Sequence, residues 1–363
     1  MAGVGPQVND AIGSALSGRR VLLTGHTGFK GGWLAIWLAR LGAKVTGYSL
    51  PAVDGPTLFA AAGVGGLVRH VEADIRDLAT FERVWRDTAP EVVFHLAAQA
   101  IVRQSYRDPL ETVTTNTLGT AHVLELARKI DEPVRLVLIT SDKCYENHEW
   151  ERGYGEGDQL GGRDVYSASK AAAEVLISSY RRSFFGDRVW AASARAGNVI
   201  GGGDWSADRI VPDAIAALRA GRAIDVRNPR AVRPWQHVLE PLSGYLLLAS
   251  RLLSPQLAVR AQAADAWNFG PTIANTRTVG QLTDAVIERW GSGAWIDRSS
   301  PDHPHEAGLL RLDIAKAGRD LSWRPRWGFE AAVARTVEWY QADAAGQNMR
   351  SICEQQIAQY EGS

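Results

Sequence analysis

Tyr166-Ser167-Ala168-Ser169-Lys170 sets a phenol and an amine four residues apart, the spacing that brings two side chains onto one face of a helix. A phenol titrates at about 10 in water, and a nearby ammonium favours the phenolate. Tyr166 is therefore expected to act as a base for a sugar hydroxyl near neutral pH. Upstream, Ser141-Asp142-Lys143 gathers a hydroxyl, a carboxylate and an amine in consecutive positions. A simple dehydrogenation needs neither the extra carboxylate nor the extra amine. Both suit a second proton-moving step, so the two clusters together point to oxidation coupled to loss of water.

These residues need a rigid frame. Val21-Leu22-Leu23-Thr24 reads as a short buried strand, followed by a glycine turn and an apolar helix over 32–41. Gly42 ends that helix, and 44–49 is the next strand, completing one βαβ unit. Further parallel strands are predicted over 68–73, 92–96, 134–140 and 189–196. Asp108-Pro109 opens a long helix, and Asp164 caps the helix that carries Tyr166 and Lys170. The alternation predicts an α/β fold, a doubly wound parallel Rossmann sheet spanning 19–198. Residues 1–18 read as a flexible lead-in. After Asn198 the pattern loosens. Strands are expected over 223–226 and 294–297, and amphipathic helices over 278–290 and 329–340. This predicts a smaller mixed α/β substrate-binding lobe over 199–363, interleaved with returns to the sheet near 230–270, such as 266–269.

The 363 residues are 45% hydrophobic, ample for a large core. Lys+Arg and Asp+Glu are 40 each, which argues against a nucleic-acid or membrane-surface binder. The densest apolar run, 245–253, is too short to span a bilayer and contains Ser250 and Arg251. The two cysteines, Cys144 and Cys353, form no CxxC pair, and no signal peptide is evident. A reduced, cytoplasmic setting is expected.

Gly25, Gly28 and Gly31 directly follow the first strand and open the first helix. Missing side chains there let backbone approach a pyrophosphate, and the helix N-terminus offers free N–H groups. The spacing, GxxGxxG, is a variant of the dinucleotide fingerprint. Tyr48-Ser49-Leu50 lies where an acidic residue often holds the cofactor ribose. No arginine follows to grip a 2′-phosphate. Lys30 is either such a grip or a solvated loop lysine. Asp74-Ile75 is either an adenine contact or an ordinary helix cap.

With these residues in place, the chain resembles the extended short-chain dehydrogenase/reductase family and, within it, the dehydratases that act on CDP-glucose. The resemblance rests on Thr24-Gly25-His26-Thr27-Gly28-Phe29-Lys30-Gly31, on His95-Leu96-Ala97-Ala98-Gln99 and on Ser141-Asp142-Lys143-Cys144-Tyr145-Glu146-Asn147. The Tyr166/Lys170 pair, Gly197-Asn198-Val199-Ile200-Gly201-Gly202-Gly203-Asp204-Trp205 and Pro304-His305-Glu306-Ala307 extend it. It implies NAD as cofactor, held by these glycines with Thr27, Phe29, Lys30, Ser49, Asp74, Ile75, Leu96, Ala97, Ala98, Tyr166 and Lys170. It also implies a nucleotide-sugar substrate and a homodimer or homotetramer. Related dTDP-glucose dehydratases carry Asp-Glu where this chain has Asp142-Lys143, and that departure points to the CDP sugar.

The implied chemistry has three steps. Tyr166 takes the C4-hydroxyl proton as hydride leaves C4, with Lys170 on the nicotinamide ribose and Ser141 on the C4 oxygen. Lys143 then removes the C5 proton while Asp142 protonates the departing C6 hydroxyl. Hydride returns to C6 and a proton to C5, leaving CDP-4-keto-6-deoxyglucose. A lysine base needs a neutral amine, and the adjacent carboxylate favours the ammonium. Adjacent opposite charges also mark an ordinary solvated strand end.

Asn198 follows the last strand, where open α/β sheets bind ligands. Arg209 and Arg233 have the planar charge that suits a diphosphate, though either also reads as a surface arginine. By resemblance, Asn268, His305 and Glu306 border the substrate. Trp205 and Trp235 either stack on the base or pack. His303 and His305 lack a third ligand, so no metal site is expected. Two other readings remain: a nucleotide-sugar 4-epimerase, which needs no C5 base, and a non-catalytic dinucleotide-binding protein.

Overall fold

Apolar runs of four to seven residues, each followed by an apolar helix, become parallel strands with helices on both faces. The computed structural model describes residues 5–300 and 309–363, with side chains from Asp10 onwards. The sheet comprises β1 (Arg20–Thr24), β2 (Lys44–Ser49), β3 (Arg69–Glu72), β4 (Val92–His95), β5 (Val134–Ile139), β6 (Val189–Arg195) and β7 (Ala266–Asn268). Their spatial order is β7-β6-β5-β4-β1-β2-β3, and every neighbouring pair is parallel. The order reverses between β1 and β4, and such a switch point opens a crevice at the strands' carboxyl ends. Val21 and Leu23 enter one core layer and Leu22 the other, as the two-residue period of a strand requires.

The flexible lead-in expected over 1–18 does not hold for the described residues 5–18. A helix, α1 (Gly5–Leu16), forms there, and Ile12 and Leu16, one turn apart, are buried in the core. α2 (Phe29–Arg40) buries Trp33 and Trp37 against the sheet. α3 (Val165–Ser183) carries the Tyr/Lys pair, and Asp164 caps it by accepting from the Ser167 N–H at 2.9 Å.

The predicted long helix after Asp108 is interrupted. It runs over Pro109–Val113, widens to a π turn over Thr114–Leu118, and resumes over Gly119–Lys129. π turns displace one residue from the α register and often occur at functional sites.

The segment after Asn198 includes α4 (Ile210–Arg219), α5 (Leu239–Leu252) and α6 (Met349–Glu361), with three two-stranded pairings. α5 and α6 share one core cluster with α2 and the sheet. α6 is tied to α2, because Trp37 Nε1 donates to Glu361 Oε1 at 2.9 Å and Arg40 pairs with the same carboxylate. Among the described residues no helix is long and apolar enough to cross a membrane.

Candidate active site

The crevice at the switch point is a cleft of about 1140 Å³. Pockets that hold one drug-sized ligand span roughly 300–1,000 Å³, and this cleft lies above that range. Every residue expected to hold the dinucleotide lines it, from Gly25 through Asp74 and Ala98 to Lys170.

The three glycines do different work. Gly25 has φ +79°, and a Cβ there would lie 2.7 Å from the Ala97 nitrogen. A Cβ on Gly31 would lie 2.0 Å from the Gly25 carbonyl oxygen. Both are therefore demanded by the turn itself. Gly28, the N-cap of α2, would meet nothing closer than 3.4 Å, so its bareness faces the cleft. Free N–H groups in the first turn of α2 and this open backbone fit a pyrophosphate. At the end of β2, Ser49 Oγ and Thr27 Oγ1 share a 2.7 Å hydrogen bond. Asp74 lies beside them, its carboxylate bonded to Arg76 at 2.8 Å, while Asp77 caps the helix Leu78–Thr88.

The catalytic candidates meet in the middle of the cleft. Ser141 is the N-cap of a short 3-10 turn over Asp142–Cys144 at the end of β5. Its hydroxyl donates to Asp142 Oδ1 at 2.9 Å and lies close enough to the Tyr166 phenol to oppose the rise of its pKa. Asp142 Oδ2 accepts from Asn198 Nδ2 at 3.3 Å. A Cβ on Gly197 would sit 2.0 Å from that oxygen, so a bare residue is what lets the carboxylate turn inward. Asn198 holds φ 52°, a left-handed conformation that asparagine tolerates. No ion pair joins Asp142 to Lys143 among the described residues, although they are adjacent; the carboxylate is engaged by Ser141 and Asn198 instead.

The expected acidification of Tyr166 by Lys170 is not what the site does. Burial pushes the phenol up to about 12, with Asp142 adding to the rise and Ser141 and Arg209 opposing it. Burial lowers Lys170 to about 8, against the opposing pull of Cys144 and Glu174. Lys30 is half-buried and is not a solvated loop lysine. It faces the reacting centre, where burial, then Arg209 and Lys170, lower it to about 8 while Asp142 and Asp204 oppose.

Beneath the turn lies a buried ion pair, Arg195–Glu174 at 2.8 Å. Burial alone would raise the Glu174 carboxyl, but Arg195, Thr140 and Ser193 outweigh it and hold it low. Arg195 also donates to the Tyr145 hydroxyl at 2.7 Å, which in turn donates to Asn268 Oδ1 at 2.8 Å. Asn268 is fully buried and donates to the Tyr154 and Asp313 carbonyls. It braces the catalytic turn from below and does not line the cleft, contrary to its expected place beside the substrate.

Asn198, Arg209 and Arg233 do line the cleft, with Arg209 held by Asp204 at 2.8 Å. Trp235 lines it too, whereas Trp205 packs edge-on against Tyr340. His303, His305 and Glu306 lie outside the described residues. The sequence reading missed Asn116. From the π turn its amide donates to the Gln99 carbonyl at 3.0 Å and to Ser169 Oγ at 2.9 Å, joining the β4 loop to α3. No periodicity marks a π turn in advance.

Comparison with known proteins agrees with this geometry. A family model described as GDP-mannose 4,6 dehydratase matches residues 22–336. The chain is 44% identical to a CDP-glucose 4,6-dehydratase of Salmonella typhimurium, over 94% of this chain and 96% of that protein. It is 26% identical to a dTDP-glucose 4,6-dehydratase of Neisseria gonorrhoeae, over 74% and 80% of the two chains. In fold it is similar to the dTDP-glucose 4,6-dehydratase of Streptomyces venezuelae solved with NAD bound, with TM-score 0.75, 23% identity and coverage of 91% and 99%.

Proposed function

The chain belongs to the GDP-mannose 4,6 dehydratase family, and from that premise we propose that it converts CDP-glucose to CDP-4-keto-6-deoxyglucose as an NAD-dependent hydro-lyase. NAD would be held by the glycine loop, Ser49, Asp74 and Lys170, and when bound would supply the hydride acceptor and donor for C4 and C6 and, oxidised, positive charge in the cleft.

The residues then divide the proton work. Ser141 and Tyr166 both line the cleft, and Ser141 opposes the rise of the Tyr166 pKa, so both can face the C4 oxygen. Tyr166 takes the C4-hydroxyl proton once added positive charge brings its pKa down from about 12. Lys170, on the same helix face, orients the nicotinamide ribose. The resulting 4-ketone acidifies the C5 hydrogen. Lys143, as the neutral amine, removes that proton, Asp142, in its protonated form, protonates the departing C6 hydroxyl, and a proton returns to C5 when hydride returns to C6. Support for this pair is their place in the cleft next to Ser141 and the absence, among the described residues, of an ion pair between the two. Arg209, Arg233 and Asn198 bind the sugar-nucleotide diphosphate.

The observation that carries the reading is the carboxylate of Asp142, bonded to Ser141 in the same turn that faces Tyr166. A 4-epimerase returns hydride to C4 and has no use for it. CDP-, UDP-, dTDP- and GDP-glucose labelled with deuterium at C4 test this. Dehydration moves the label to C6 in a 4-keto-6-deoxy product, whereas retention of the label at C4 would establish epimerisation.

The working form is a homodimer or homotetramer in the cytoplasm. Leu110, Val113 and Val175 are exposed apolar side chains on neighbouring helices, a surface suited to a second copy. Sedimentation of the wild type against Leu110→Glu checks this: the variant should shift towards monomer.

A further inference from the structure

The cleft has two ends. The glycine loop, Ser49 and Asp74 form one, and the Ser141–Tyr166 pair stands in the middle. The other end is walled by α4 and by the residues around the strand Ile224–Val226. If the hexose reacts at Tyr166, as the reading above requires, the dinucleotide takes the first end and the substrate's nucleoside is left with the second.

Two charged groups on that wall lie side by side. Arg227 Nη1 donates to Asp208 Oδ1 at 2.6 Å, and its Nη2 lies 3.7 Å from Asp213 Oδ2. Asp208, held at φ 67°, also faces Arg103 at 3.8 Å and Arg107 at 3.9 Å. One carboxylate there anchors three guanidinium groups. Asp213, in the first turn of α4, has Arg227 as its single ion-pair partner among the described residues, and its side chain is 41% exposed. The wall therefore presents a carboxylate acceptor beside the remaining donors of a guanidinium.

That sequence of acceptor and donors has a chemical complement. The pairing edge of cytosine runs from an amino donor through two acceptors, N3 and O2. Uracil and thymine replace the amino group with a carbonyl and carry N–H at position 3. They would set a carbonyl against the carboxylate and an N–H against the guanidinium. We propose that Asp213 and Arg227 read the nucleotide base, Asp213 accepting from the 4-amino group of cytosine and Arg227 donating to N3 and O2. The same pair excludes UDP- and dTDP-sugars, because a mismatched base leaves a donor and an acceptor unpaired.

The test uses the intact protein with NAD. Binding of CDP is compared with that of its analogue lacking the 4-amino group, by inhibition of turnover. Wild type should favour CDP on the order of tenfold to hundredfold. Asp213→Ala should close that gap while leaving NAD binding unchanged. Asp213→Asn should raise turnover of UDP-glucose relative to CDP-glucose. A gap that persists in Asp213→Ala overturns the assignment, and so does equal binding of the two ligands by wild type, which needs no variant. Failure of the underlying reading looks different, since wild type would then dehydrate none of the nucleotide glucoses.

Discussion

Ser141 Oγ donates to Asp142 Oδ1 at 2.9 Å and lies beside the Tyr166 phenol, whose pKa it holds down, so one hydroxyl stands between the oxidising group and the dehydrating one. Oxidation and elimination should therefore be separable by substitution on either side of Ser141. Asp142→Asn keeps the shape but removes the acid. It should slow water loss by about 10²–10⁴-fold, the usual worth of a general acid. C4 oxidation should persist, visible as a transient rise in absorbance of the reduced cofactor. A variant that dehydrates at the normal rate would remove Asp142 from the mechanism.

Lys143→Met should likewise spare NAD binding and the first oxidation yet stop loss of water. Solvent deuterium should then no longer enter C5 during incubation, because the C5 proton is not removed. Normal product formation by this variant would show that another group is the base.

The glycines of the cofactor loop should separate by readout. Gly31→Ala forces a Cβ to within 2.0 Å of backbone oxygen and should destabilise the fold, on the order of 1–3 kcal/mol or more, in denaturant titration. Gly28→Ala has protein-side room and should leave stability nearly unchanged while weakening NAD binding. Equal loss of stability in the two variants would contradict this division.

Lys170 gives a pH dependence with a definite sign. Its folded pKa, about 8, lies below the ordinary lysine value of 10.5, so the unfolded chain binds more protons between those values. Below pH 8 burial of the ammonium costs stability in full. As pH rises from 8 to 10.5 the cost fades. Lys170→Met should therefore stabilise the protein at pH 7 by up to ~3 kcal/mol, and the difference should shrink towards pH 10.5. Thermal melts across that range check it.

The Arg195–Glu174 pair should be costly to break. Glu174→Gln leaves a buried guanidinium short of its counter-charge, and loss of one partner typically costs about 3–5 kcal/mol. Since Arg195 also holds Tyr145, turnover should fall beyond what lowered stability explains.

What the sequence disclosed and what it hid follow from the range of the interactions. Strands β1 to β6, the cap at Asp164 and the cleft positions of Ser141, Asp142, Tyr166 and Lys170 rest on local patterns, and these were legible. α1 was not, because its polar lead-in character hides an apolar pair that only the core identifies. The rise of the Tyr166 pKa was hidden for a related reason. Four-residue spacing shows that Lys170 is near, but not that burial outweighs it. Asn268 misled because resemblance carries a residue's position without its hydrogen-bond partners. Here those partners, Tyr145, Tyr154 and Asp313, come from distant parts of the chain.

The tie between Trp37 and Glu361 has a bearing on biogenesis. The two residues are separated by 324 positions, so a ribosome adding about 5–20 residues per second needs on the order of tens of seconds to supply the second after the first. Throughout that interval the nascent α2 lacks its cover, with two tryptophans awaiting burial. Chaperone engagement of the growing polypeptide should be concentrated there, and a premature stop ahead of Met349 should yield an aggregating product instead of a weakened enzyme.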